Sequence, residues 1–226
     1  MMSEKILALN ELEASRFMEK YGINMVQSAV ITDCDEKSIS EVVDKLGFPM
    51  VMKILSDDIL HKTDVGCVAL GIRSMEEMKD AFEKIMNNAK TNVPGAKIQG
   101  ILVEQMMPSG LEVLMGVSTD PQFGHVIMVG MGGIMVELLK AVTLRVLPIT
   151  RGDAEDMIDE TPLRKAFEGL RGVKYDREEL VKALLNLSKM VEENPDIKEI
   201  DVNPFLLYGE GKKATGVDAL IVRMIA

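Results

Sequence analysis

VMKILSDDILHKTDVGCVALGIR, residues 51–73, sets two apolar runs on either side of a polar, glycine-ended loop. VMKILS (51–56) and VALGIR (68–73) are short, rich in aliphatic side chains and bounded by turn residues, which predicts two buried strands. Between them, DILHKTDVG (58–66) holds His61, one of only two histidines in 226 residues. An ionisable ring at that place is either a solvated loop residue or a chemical group. Lys53 poses the same alternative: an ammonium inside an apolar run costs several kcal/mol unless it meets an anion, although lysines also snorkel to water.

Upstream, NELEASRFMEKY (10–21) places Leu12, Phe17, Met18 and Tyr21 at helical spacing and stops at Gly22. DEKSISEVVDKLG (35–47) opens on an aspartate cap and closes on Gly47. Downstream, a helix is expected from Ser74 to about Lys90, with Ser74 and Glu77 spaced as a capping box, followed by a TNVPGA turn and the strand GILVEQMM (100–107). LEVLMGVS (111–118), GHVIMVGM (124–131) and TLRVLPI (143–149) read as strands of a meandering sheet. Residues 152–170 read as helical, 175–194 as an amphipathic helix ending before Pro195, and IKEIDVNPFLL (197–207) and KATGVDALIV (213–222) as a closing pair of strands. The order is that of an α+β protein in two subdomains, without the regular βαβ rhythm of a doubly wound sheet.

A chain with 47% hydrophobic and 27% charged residues buries a substantial core. No apolar run approaches the roughly 18 residues of a membrane span. MMSEKILALNELEAS (1–15) has neither the basic start nor the cleavage site of a signal peptide, so a cytoplasmic location is expected, with no membrane partner. Cys34 and Cys67 offer no disulfide framework and no CxxC spacing, and the 18 methionines read as packing residues. A net charge of −10 excludes non-specific binding to nucleic acid. An anionic ligand therefore has to be held locally, by backbone amides and chosen lysines.

The common phosphate and hydrolase signatures are missing: there is no GxxxxGK[ST], HExxH or GxSxG, and GMGGIM (130–135) fails as GxGxxG at its last position. Glu104 and Glu112 fall on neighbouring strands, a pair able to hold a base and a ribose. GMGG (130–133) lets backbone approach a phosphate closely and offers amide donors. In EIDVNPF (199–205), strand alternation points Asp201 and Asn203 to one side and Ile200 and Val202 to the other. With Asp218 on the partner strand, these oxygens suit a hard cation such as Mg²⁺ that keeps several waters; the bland alternative is a polar strand end before Asn-Pro.

The order of VMKI, HKTDVG, VEQMM, GLEVLMGVSTDPQFG, VGMGGIMVELLK, TLRVLPI and DVNPF…VDALI resembles the ATP-grasp β subunit of ADP-forming acetyl-CoA synthetases (acetate–CoA ligases, ADP-forming), from about residue 10 to 223. It is similar, more distantly, to the β subunit of succinyl-CoA synthetase. The resemblance implies an α+β ATP-grasp fold of two intimately joined subdomains with the nucleotide bound between them. Residues 1–20 would pack on the second subdomain, 21–100 would form the first with the His61 loop, and 101–226 the second with the adenine hinge and magnesium site.

It implies roles as well. Lys53 would contact nucleotide phosphates, Glu104 the adenine amino group, the main chain of Gln105 to Met107 the ring, and Glu112 the ribose. Gly132, Gly133 and Glu137 would line the phosphate end with help from Arg145, while Asp201, Asn203 and Asp218 would bind Mg²⁺. His61 matches a histidine that accepts a phosphoryl group, and a ten-residue loop, which extends to roughly 33 Å, would let it swing. The implied reaction is acyl-CoA + ADP + phosphate ⇌ acid + CoA + ATP, through acyl phosphate and phosphohistidine. CoA would be handled by an α subunit that carries the CoA-binding and CoA-ligase domains, in an α2β2 heterotetramer.

Cys67 stands where the family usually has a second glycine, His125 where it has proline, and Ala141 where it has aspartate. His125 reads as structural. Two other readings use the same nucleotide residues: a stand-alone ATP-grasp carboxylate ligase, which needs no His61, and a non-catalytic nucleotide-binding regulatory module.

Overall fold

The structure, a computed structural model, describes residues 5–59, 61–133, 142–169, 172–209 and 211–225. In chain order its first half contains β1 (Lys5–Ala8), α1 (Glu11–Lys20), β2 (Ser28–Ile31), α2 (Glu36–Leu46), β3 (Met50–Leu55), β4 (Val68–Ile72), α3 (Met75–Asn92) and β5 (Gly100–Gln105). The second half contains β6 (Leu111–Asp120), β7 (Gly124–Met131), β8 (Val142–Val146), α4 (Arg151–Asp159), α5 (Leu163–Phe167), α6 (Arg177–Glu193), β9 (Ile197–Leu207), β10 (Thr215–Gly216) and β11 (Ala219–Ile225). Among the described residues, no helix is long and apolar enough to cross a membrane.

The chain divides into two units, Val26–Pro108 and Met1–Met25 with Ser109–Ala226. In the smaller unit the strands run β2-β5-β3-β4, all antiparallel. Apolar residues three and four apart, Ile39, Val42 and Leu46 on α2 and Met78, Ala81, Ile85 and Ala89 on α3, face Met50, Met52, Ile54, Ile101 and Val103 in one buried cluster. Burying each large side chain of this kind contributes about 1.5–3 kcal/mol.

The larger unit builds an antiparallel sheet in the order β1-β11-β9-β6-β7-β8, with β10 beside β9. One face holds Val113, Met115, Val117, Ile127, Val129, Ile200 and Val202, packed with Leu180, Leu184, Leu187 and Met190 of α6. The opposite face is the one left for the polar residues of these strands.

Several expectations change. The boundary falls at Pro108 and not at residue 100, because strand 100–105 pairs with β2 and β3 in the smaller sheet. Residues 151–167 form two helices, since the Thr161 hydroxyl turns back to the Ile158 carbonyl at 2.8 Å and Pro162 follows. Ser74 does cap α3, accepting from the Glu77 amide at 3.1 Å, but Glu77 accepts in return from the amide of Arg73 at 2.7 Å, so the box closes one residue early. Strands β1 and β2 went unanticipated: each is four residues long, too short for its alternation to show.

Candidate functional site

In the smaller unit, β3 and β5 set Lys53 opposite Leu102 and Val51 opposite Glu104. Met52, Ile54, Ile101 and Val103 take the core face, so Lys53 and Glu104 share the other, one diagonal step apart. Lys53 Nζ lies 2.8 Å from Glu104 Oε2, with side chains 13% and 3% exposed. This resolves the choice between a snorkelling lysine and one that meets an anion: the lysine is half-buried and paired with a buried carboxylate. Lys53→Ala, which strips Glu104 of this cation while it stays buried, is expected to destabilise the protein by about 3–5 kcal/mol in denaturant titrations. Lys53→Met with Glu104→Leu should recover most of that loss.

Past Glu104, the Gln105 amide donates to Gln27 O at 3.1 Å and the Met106 amide to Pro49 O at 2.9 Å. The Met107 amide makes no such bond among the described residues, so of the three it is the donor left for a ligand.

His61 is exposed. The chain before it is pinned: Gln99 Nε2 donates to Asp57 at 2.8 Å, the Lys97 amide donates to Asp58 at 2.7 Å, and Ile59 is buried. Behind it, the Cys67 amide bonds Lys62 O at 2.8 Å and the Gly66 amide bonds Thr63 O at 3.0 Å, closing a turn. The expected ten-residue swinging loop thus has anchored stretches on both sides of His61 in this conformation, 57–59 and 62–67. Cys67 is buried, with Sγ 3.7 Å from Ile85 O, and burial pushes its thiol pKa up, which makes it a packing residue.

In the larger unit, Glu112 lies on the face of β6 opposite Val113 and Met115. The Gly132 amide donates to Glu112 O at 2.7 Å. A Cβ on Gly132 would sit 2.9 Å from the Glu112 main chain, and one on Gly133, at φ +67°, would sit 2.6 Å from Glu112 Oε2. The two glycines are therefore needed for Glu112 to lie against them. Glu137 and Ala141 fall outside the described residues.

Gly116 pairs with Asp201, which puts Asp201 on the same face as Glu112. Burial raises the Asp201 pKa above its ordinary value, and the charges of Asp218 and Glu199 add to the effect, so these acids converge. The Asn203 amide donates to Asp218 O at 3.3 Å. Among the described residues no group of three or more His, Cys, Asp or Glu forms a metal cage. A half-buried carboxylate whose proton affinity is raised by a second one, Asp218, fits Mg²⁺, which takes few protein ligands and completes its shell with water and phosphate. Glu199 was missed, although its spacing from Asp201 and Asn203 along one strand face was the available signal.

Arg145 goes elsewhere. It pairs with Ile127 of the core face and bonds Glu160 at 2.5 Å, which lowers the Glu160 pKa. Strand alternation puts it on the opposite side of the sheet from Glu112 and Asp201, so the structure does not bring it to them. His125 Nε2 lies 2.7 Å from Ile197 O and, facing a carbonyl, donates.

The ATP-grasp domain family matches residues 1–222. The β subunit of ADP-forming acetate–CoA ligase II of Pyrococcus furiosus is 42% identical over 217 residues, 95% of this chain and 91% of that one. The chain is an ATP-grasp protein of the ADP-forming acetate–CoA ligase β-subunit family. Acetyl-coenzyme A synthetase 1 of Ca. Korarchaeum cryptofilum, in complex with coenzyme A, Ca-AMPCP and HgCl⁺, superposes on this ATP-grasp chain with a TM-score of 0.88 at 40% identity, over 96% of this chain and 93% of that one. A second structure of that enzyme, with coenzyme A and Mg-AMPPCP, has its phosphohistidine segment pointing towards the nucleotide-binding site; it matches at 36% identity and a TM-score of 0.82, over 96% and 92% of the two chains. The α+β ATP-grasp fold read from the sequence is the fold observed.

Proposed function

We propose that this chain is the nucleotide-handling β subunit of an ADP-forming acyl-CoA synthetase, and that His61 passes a phosphoryl group between an acyl phosphate and ADP. The observation that carries the reading is an exposed imidazole set between two anchored stretches of chain, shortly after the strand bearing Lys53. In-line phosphoryl transfer asks a protein for positioning and charge neutralisation, and both are within reach of these groups. Lys53 holds phosphate oxygens, Glu104 and the Met107 amide take the adenine, and Glu112 takes the ribose. Asp201, Asn203 and Asp218 would hold Mg²⁺, which when bound neutralises phosphate charge. A carboxylate at Glu104 accepts from an amino-bearing base and repels a guanine oxygen, so ADP is preferred to GDP.

The sum is acyl-CoA + ADP + phosphate ⇌ acid + CoA + ATP. Phosphate displaces CoA, the acyl phosphate gives its phosphoryl group to His61 and releases the acid, and ADP accepts that group from His61. CoA and the thioester are handled by a separate α subunit, in an α2β2 assembly in the cytoplasm. Co-expressed with such a CoA-binding chain, the protein should make ATP from acetyl-CoA, ADP and phosphate, with GDP at least tenfold poorer. ATP synthesis by the α chain alone, or equal use of ADP and GDP, would contradict the assignment.

A further inference from the structure

The residue that follows His61 is fixed in place. This residue, Lys62, closes the turn through the Cys67 amide, and consecutive Cα atoms lie about 3.8 Å apart, so while that turn holds, the His61 backbone moves only within that radius. The turn in turn is held from outside. Asn88 Nδ2 donates to Gly66 O at 2.7 Å and Asn92 Nδ2 donates to Val65 O at 3.0 Å. The two asparagines stand one helical turn apart on α3 and grip consecutive carbonyls. Gly66, at φ +68°, admits this grip: a Cβ there would lie 2.8 Å from Asn88 Nδ2.

We propose that Asn88 and Asn92 are positioning residues for His61: they latch the 62–67 turn to α3, and phosphoryl delivery away from the nucleotide requires the latch to open. This rests on the reading of His61 as the phosphoryl carrier. The latched pose serves the nucleotide, because the Ile54 amide beside Lys53 donates to Cys67 O at 3.0 Å and so ties the latched turn to the strand of the phosphate-binding lysine. A carrier confined to a few ångströms reaches one site only. Two side-chain bonds to partly exposed carbonyls make a hold weak enough to release in every turnover.

Asn88→Asp with Asn92→Asp keeps the shape and removes both donors. In the complex with the α chain, two half reactions are timed: labelling of His61 by Mg²⁺·[γ-³²P]ATP, and onward transfer from labelled His61 when acid and CoA are added. The variant should label on the order of tenfold more slowly, transfer onward at the wild-type rate or faster, and bind ATP as the wild type does. Hydrogen exchange at the Gly66 and Cys67 amides should quicken by a similar factor, and the two alanines in place of the asparagines should act alike. Equal slowing of both half reactions, or unchanged labelling with unchanged exchange, would overturn the latch while leaving His61 as the carrier. A wild type that takes no label overturns the carrier reading and the latch with it.

Discussion

Incubated with Mg²⁺ and [γ-³²P]ATP, the chain should take up phosphate that is lost in acid and kept in alkali, and His61→Ala should take up none. The stability to base and lability to acid are those of a phosphoramidate, formed when a ring nitrogen attacks the γ-phosphorus and ADP leaves. The loss should be complete, because a nucleophile that forms the covalent intermediate has no neighbour to replace it; the other histidine, His125, lies against the Ile197 carbonyl on a different unit. His61 is exposed and outside both cores, so its removal should leave the thermal midpoint within about 2 °C, in keeping with the small effects of most surface substitutions. A stand-alone carboxylate ligase would keep its turnover in His61→Ala, and a regulatory module would bind ATP but never take label. Equal labelling of wild type and variant would remove the phosphohistidine from the mechanism.

Much of this was legible in the residues, and the reason differs from one group to the next. Alternation in EIDVNPF fixed the facing of Asp201 and Asn203, because a strand one side of which is core leaves no freedom in register. The same rule, applied to TLRVLPI, would have sent Arg145 to the core face with Thr143, but it needed the pairing of β8 with β7, and pairing is a long-range fact. Lys53 and Glu104 sit 51 positions apart, and only the antiparallel register of β3 and β5 makes them partners. The anchoring of the His61 loop was hidden for another reason. Its polar residues, Asp57, Asp58, Asn88 and Asn92, look like ordinary solvated side chains until the fold brings backbone groups to them. GMGG reads as a phosphate cradle, and the close approach of Glu112 is by itself a reason for glycine at 132 and 133.

Asp201→Asn should separate stability from function. Burial and the charges of Asp218 and Glu199 raise the Asp201 pKa in the folded chain, so the native state holds this proton more tightly than the unfolded one. Such a group favours folding at low pH, and its contribution is lost as pH rises from the ordinary aspartate value of about 4 through the raised one. At neutral pH the folded protein therefore carries an ionised carboxylate in an unfavourable place. The amide removes that cost, and without metal the variant should melt higher than the wild type at pH 7 and show no advantage at pH 4. With Mg²⁺·ADP the order should reverse: the wild type gains stability from a ligand that binds the native state alone, while the variant, short of one anionic oxygen, gains little. Labelling of His61 should fall by roughly 10²–10³, the loss typical when a charge-stabilising contact at a transferring group is removed. Differential scanning fluorimetry from pH 4 to pH 8, with and without Mg²⁺·ADP, reads both effects in one experiment. A variant that melts higher yet keeps its full response to Mg²⁺·ADP would return Asp201, Asn203 and Asp218 to the status of a polar strand end, for a carboxylate that is costly and unneeded by the metal has no place in the cation site.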